Sequence, residues 1–110
     1  MPKNNLVAQR RRLLASLPPI DLVLRGSFFV RRLRCGKSDR CRCGRGRLHR
    51  AAYVSVTFKD GSTEQISVPR SLEAVARAWV RNYVRWWDAV ERISAINREL
   101  LRRRLVGPTR

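Results

Sequence analysis

Every cysteine and the single histidine of this chain fall in one run, CGKSDRCRCGRGRLH, from residue 35 to residue 49. Cys35, Cys41, Cys43 and His49 offer three thiolates and one imidazole, a complete tetrahedral donor set for a structural Zn²⁺ ion. Their spacing, C-x5-C-x-C-x5-H, is not that of a common zinc finger. Charge favours the same assignment. Three thiolates and a neutral imidazole leave Zn²⁺ with a formal −1, and Arg34, Lys37, Arg40, Arg42, Arg45, Arg47 and Arg50 surround them with only Asp39 in opposition. Cations of this kind lower thiol pKa values and favour the thiolate that binds metal. Because they greatly outnumber that one negative charge, most of them remain to meet another anion.

Catalysis finds little support in these residue types. Four protein ligands leave a zinc ion no open coordination position, and Asp39 is the one acid near them in sequence that could serve as a general base. The eight acids of the chain are scattered singly and there is one histidine, so clustered carboxylates and a positioned base are both missing. The residues predict a binding protein and not an enzyme.

The whole chain repeats the bias of the loop. Twenty-five Lys and Arg stand against eight Asp and Glu, a net charge of +17 over 110 residues. Such a charge repels itself unless a polyanion absorbs it, and nucleic acid, DNA or RNA, is the natural partner. Only Lys3, Lys37 and Lys59 are lysines, so nearly all of the charge sits on guanidinium forks suited to phosphate and guanine. No run of 18 apolar residues and no signal-peptide pattern occurs. Neither a membrane span nor secretion is expected, and an odd number of clustered cysteines fits a reducing, cytoplasmic setting better than a disulfide framework.

One domain is the expectation for this length, with a core of modest size. Residues 1–19 hold a helix over 4–17, where Leu6, Val7, Arg10, Leu13, Leu14 and Leu17 recur at helical spacing until Pro18-Pro19 stops the pattern. Residues 20–69 supply the sheet and the cysteine loop. A strand is expected near 27–34 after the break at Gly26, and a hairpin turns around Lys59-Asp60-Gly61. A two-residue Asp-Gly turn would set the apolar face of one strand against the polar face of the next. A three-residue loop with Gly61 in the left-handed region pairs Val54 with Ile66 and Ala52 with Val68, and is preferred. The predicted fold is α+β, with an N-terminal helix, a small antiparallel sheet carrying the Cys/Cys/Cys/His loop between its first two strands, and a long C-terminal helix.

That helix is assigned to residues 70–105, with Ser71 as a plausible N-cap and a short tail at 106–110. It contains no Gly or Pro. Trp79, Tyr83, Trp86, Val90, Ile93, Asn97, Leu100 and Arg104 alternate in steps of four and three, a heptad seam with an Asn at a core position. The seam predicts a partner helix, either the first helix of the chain or a second copy of the long one. A homodimer is the preferred reading because the first helix is too short to cover the seam. Tyr83, Trp86, Val90, Ile93, Asn97 and Leu100 are its candidate interface residues. Trp79, Tyr83, Trp86 and Trp87 offer either a stacking platform for single-stranded bases interleaved with Arg81 and Arg85 or core packing; core is preferred because three of the four lie on the seam, with Trp87, off it, as the exception. Arg77, Arg81, Arg85 and Arg92 fall in a separate narrow sector, where Glu73 and Asp88 stand four residues before Arg77 and Arg92. Acids are fewer than arginines on this helix, so this sector, with Arg32 and the loop cations, forms the candidate nucleic-acid surface.

The succession Cys35-Gly36-Lys37, Cys41-Arg42-Cys43, Gly46, His49 and Tyr53, preceded by RGSFFVRRLR and followed by a long helix, resembles a family of small uncharacterised bacterial proteins. In that family a C-G-K start leads through C-x-C and Gly to His-Gly-Pro-Tyr, and many members look like accessory genes of transposons and other mobile elements. The similarity spans roughly residues 26–101. The chain departs from the pattern by one extra residue between Cys35 and Cys41 and by Arg50-Ala51-Ala52 in place of Gly-Pro. The resemblance implies a metal-binding loop and a mobile-element setting. The alternative expectation is an adaptor whose helix seam dimerises or docks on a larger protein such as a transposase.

Overall fold

In a computed structural model of the protein, residues 1–33 and 49–108 are described. Five main elements follow in order: α1 (Lys3–Ala15), β1 (Ser27–Leu33), β2 (His49–Thr57), β3 (Thr63–Val68) and α2 (Glu73–Arg102). The architecture is α+β, as its residue patterns predict. Contacts group into two compact units: residues 24–80, and residues 1–23 together with 81–110.

The first of these units is built on the sheet, whose strand order is β1-β2-β3 with both pairings antiparallel. Ala52 stands opposite Val68 and Val54 opposite Ile66, the register of the three-residue loop. Phe58 N donates to the Ser62 carbonyl at 2.8 Å and Gly61 N to the Phe58 carbonyl at 3.0 Å, with Gly61 at φ 89°. The Asp60 carboxylate accepts from the Ser62 amide at 2.9 Å and from its hydroxyl at 2.6 Å, which holds the turn. Alternation along the strands puts Phe28, Val30, Ala52, Val54, Ile66 and Val68 on one face. There Val54, 1% exposed, is the most deeply buried large side chain, and the opening turns of α2 bring Ala76 and Trp79 beside it. Gly26 abuts this face so closely that a Cβ would lie 2.8 Å from Val54 Cγ1 and 3.0 Å from the Ser55 carbonyl oxygen. Only glycine fits there.

The second unit sets α1 against the later part of α2. Leu6, Ile96 and Leu100 are buried together, with Val7, Leu13 and Leu105 packed around them. Ala89 is buried as well. Polar contacts fix the connection after α1. Arg85 donates to the Ser16 carbonyl at 2.6 Å, Trp86 Nε1 to the Pro18 carbonyl at 2.9 Å and Asn82 to the Leu22 carbonyl at 2.9 Å. Here a 3-10 turn, Ile20–Leu22, follows the two prolines, a feature the apolar pattern does not signal.

Both ends of α2 differ from expectation. The Pro69 carbonyl accepts from Leu72 N at 2.9 Å, so a 3-10 turn over Arg70–Leu72 leads into the helix. Ser71 therefore lies inside the turn and not at a cap. The helix stops at Arg102 instead of reaching Leu105. Leu105 N donates to the Leu100 carbonyl at 2.9 Å and Arg104 N to the Leu101 carbonyl at 3.0 Å, while Arg104 takes φ 56°. This is a Schellman closure with an arginine at the left-handed position, and it folds Leu105 back onto Leu100.

The predicted seam on α2 divides. Leu100 belongs to the cluster with Leu6, Trp86 is held by the Pro18 carbonyl, and Tyr83 and Ile93 are half-buried. Trp79 faces the sheet. Val90 is 49% exposed, and Asn97 accepts from Arg10 Nη1 at 2.6 Å. The buried line runs instead through Ala89, Ile96 and Leu100, turned away from the one that the aromatic and β-branched residues trace. Arg10 and Arg85 hydrogen-bond between α2 and the segment of residues 1–23 along this helix.

Candidate nucleic-acid interface and metal loop

Of the four candidate metal ligands, Cys35, Cys41 and Cys43 lie outside the described residues. His49 is the first residue of β2, half-buried, with its Cα directly opposite Leu33 at the end of β1. Antiparallel partners sit about 5 Å apart, so the β1–β2 pairing brings His49 beside the strand end that leads, two residues on, to Cys35. Three thiols and an imidazole remain a donor set chemically suited to Zn²⁺. Among the described residues alone, no group of three His, Cys, Asp or Glu converges.

The candidate arginines divide in the same way. Arg34, Lys37, Arg40, Arg42, Arg45 and Arg47 lie outside the described residues. Arg50 and Glu73 form a two-pronged ion pair, Nη1 to Oε1 and Nη2 to Oε2, the second at 2.9 Å. This pair ties β2 to the first turn of α2. The Arg50 hydrogen bond holds the Glu73 carboxyl below its usual range and raises the guanidinium's own pKa. Sequence spacing would have paired Glu73 with Arg77. The Arg77 guanidinium instead lies 4.3 Å over the centre of the Phe28 ring. Arg92 does pair with Asp88, at 3.2 Å, with both side chains more than half exposed, and solvent screens such a contact heavily. Arg85 serves the Ser16 carbonyl.

Two of the candidates, Arg32 and Arg81, are exposed and have no acidic partner among the described residues. Arg32 lies opposite Arg50, where Glu73 takes up one of two like charges that would otherwise repel. Exposed Arg11 and Arg12, on α1, likewise have no acidic partner among the described residues. Glu99 is taken by the end of α2: it accepts from Arg102 and, at 2.7 Å, from Arg103, whose hydrogen bond holds its carboxyl below the usual range.

A side-chain group that residue spacing does not reveal lies on the other face of the sheet. Phe29 and Tyr53 are cross-strand partners, their rings stacked with centroids 5.5 Å apart and planes inclined by 27°. Exposed Arg31, two residues along β1, holds its guanidinium 5.0 Å from the centre of Phe29 and 5.9 Å from that of Tyr53. The β1–β2 register, which joins Phe29 to Tyr53 across the cysteine segment, is the signal that would have found it. Among the tryptophans, Trp87 is 58% exposed, as its place off the seam implies.

Comparison of the chain with protein-family models, curated proteins and solved structures finds no match in any of the three. No described helix is long and apolar enough to cross a membrane.

Proposed function

We propose that this chain is a zinc-stabilised nucleic-acid-binding protein, acting in the cytoplasm as an accessory to a mobile element or related nucleoprotein complex. The observation that carries this reading is the excess of guanidinium charge after local pairing. Glu73, Asp88 and Glu99 are all engaged by arginines, Asp60 by Ser62, and the chain still has a net charge of +17. Arg32, Arg81 and the loop residues Arg34, Lys37, Arg40, Arg42, Arg45 and Arg47 are the proposed phosphate contacts, with Arg92 available by exchange from its screened pair. Arg50, Arg77 and Arg85 support the surface by bracing Glu73, Phe28 and Ser16. Cys35, Cys41, Cys43 and His49 would hold the zinc ion, which supplies a cross-link and no reaction chemistry. The mobile-element setting follows from the likeness of the cysteine motif.

The test pairs metal content with salt dependence. Purified protein should contain one zinc per chain, and its affinity for duplex DNA and structured RNA should fall steeply as ionic strength rises to the physiological range. Absence of binding to both nucleic acids at low salt overturns the proposal.

A second reading, a helical dimer or an adaptor docking on a larger protein such as a transposase, draws on one observation. Val90 and Leu101 line an open groove on α2 with Ile93, Ser94, Asn97 and Arg98, and Leu101 is 71% exposed. On this reading, replacing Val90 and Ile93 with Asp abolishes self-association or capture while nucleic-acid affinity stays intact. Persistence of association in that variant overturns it.

A further inference from the structure

We infer that the Phe29–Tyr53–Arg31 group is a stacking platform for the bases of single-stranded nucleic acid. The inference rests on the nucleic-acid reading above and narrows it from polyanions in general to strands with unpaired bases. Three features converge on one sheet face.

The first is the ring pair. Phe29 and Tyr53 are directly opposed across β1 and β2, half-buried, and packed ring against ring. The pair stands on a three-stranded antiparallel sheet, where cross-strand pairing limits the freedom of both rings. Within the sheet unit, α2 takes the other face: Ala76 and Trp79 line the hollow over Val54, Arg77 covers Phe28, and Glu73 holds Arg50.

The second is Arg31. Its guanidinium lies over both rings and has no acidic partner among the described residues. A planar cation held this way can stack on a base and donate to the adjoining phosphate. Paired bases are closed off inside a duplex, whereas every unpaired base offers a π-face, so rings and guanidinium together select single strands with little regard for sequence.

The third is the rim. Strand alternation puts Ser27, Ser55, Gln65 and Ser67 on the same face as the rings, and the described residues of that face include no acid. A polar, acid-free border suits a phosphate backbone lying across the sheet.

The experiment compares the full chain's affinity for a dT 12-mer with that for an abasic 12-mer of equal charge, alongside duplex DNA. The expected result is at least tenfold tighter binding of dT, reduced to parity by Tyr53→Leu or Phe29→Leu, with abasic and duplex affinities unchanged. Equal affinity of the wild-type chain for dT and abasic strands overturns the platform and leaves the phosphate reading standing. No binding of any strand overturns both. Because either variant can misfold, a second measurement uses the wild-type chain alone. A 5-iodouracil strand should cross-link at Phe29 or Tyr53, and cross-linking at exposed Trp87 with none at those rings overturns the platform.

Discussion

Arg10 reaches from α1 to donate a 2.6 Å hydrogen bond to the side-chain oxygen of Asn97 on α2. A polar residue at a heptad core position ordinarily fixes the register of two helices, and here its partner is the first helix of the same chain. Arg10→Ala and Asn97→Ala should each lower stability by about 0.5–1 kcal/mol in urea denaturation, with a coupling of about 0.5 kcal/mol in the double-mutant cycle. Additive single effects would show that the contact does not set the register.

Leu100 and Val90 are both assigned to the heptad seam, yet one is buried against Leu6 and the other is half exposed. Leu100→Ala should cost about 2–4 kcal/mol, the range for an emptied leucine site. Val90→Ala should change stability by no more than about 0.5 kcal/mol. Equal losses at the two sites would contradict the packing angle of α2.

Two backbone positions carry opposite expectations. Gly26→Ala drives a methyl into Val54 and the Ser55 carbonyl, and should destabilise by about 1–3 kcal/mol. Arg104→Gly relieves a left-handed residue at the end of α2, and should stabilise by about 0.5–1 kcal/mol. Thermal melts of the two variants should shift in opposite directions.

Acid should weaken the fold through identifiable carboxylates. Hydrogen bonds from Arg50, Arg103 and Ser62 hold Glu73, Glu99 and Asp60 below their ordinary pKa values. A carboxyl whose pKa is depressed by folding contributes stability above its unfolded value, about 4. That contribution is lost as pH falls through the folded value. Stability should therefore hold from neutral pH down to about pH 5 and decline below about pH 4. Glu73→Gln should melt earlier than the wild-type chain at pH 7, and the gap should narrow in acid; a constant gap would argue against the ion pair.

Local signals carried the fold. Gly61 with its neighbours fixed the loop of the second hairpin, and with it the register that unites Val54 and Ile66. The uninterrupted run after Pro69 announced α2. The angle at which α2 presents itself was not legible, because it depends on distant partners: Arg10 for Asn97, Ser16 for Arg85, Pro18 for Trp86. For the site, spacing could name the donor set and the cations but not which arginines fold into bracing. Nor could it reveal the Phe29–Tyr53 pair, which exists only once β1 meets β2 across the cysteine segment.

The pairing of Leu33 with His49 has a consequence for how that segment can change. Strand pairing already brings the ends of residues 34–48 together, and the entropy of closing a loop grows only with the logarithm of its length. Adding or deleting one residue there alters the closure term by under about 0.1 kcal/mol. The sheet is thus nearly indifferent to how long the segment is. A residue gained or lost between Leu33 and His49 is therefore a change that the sheet tolerates at almost no cost.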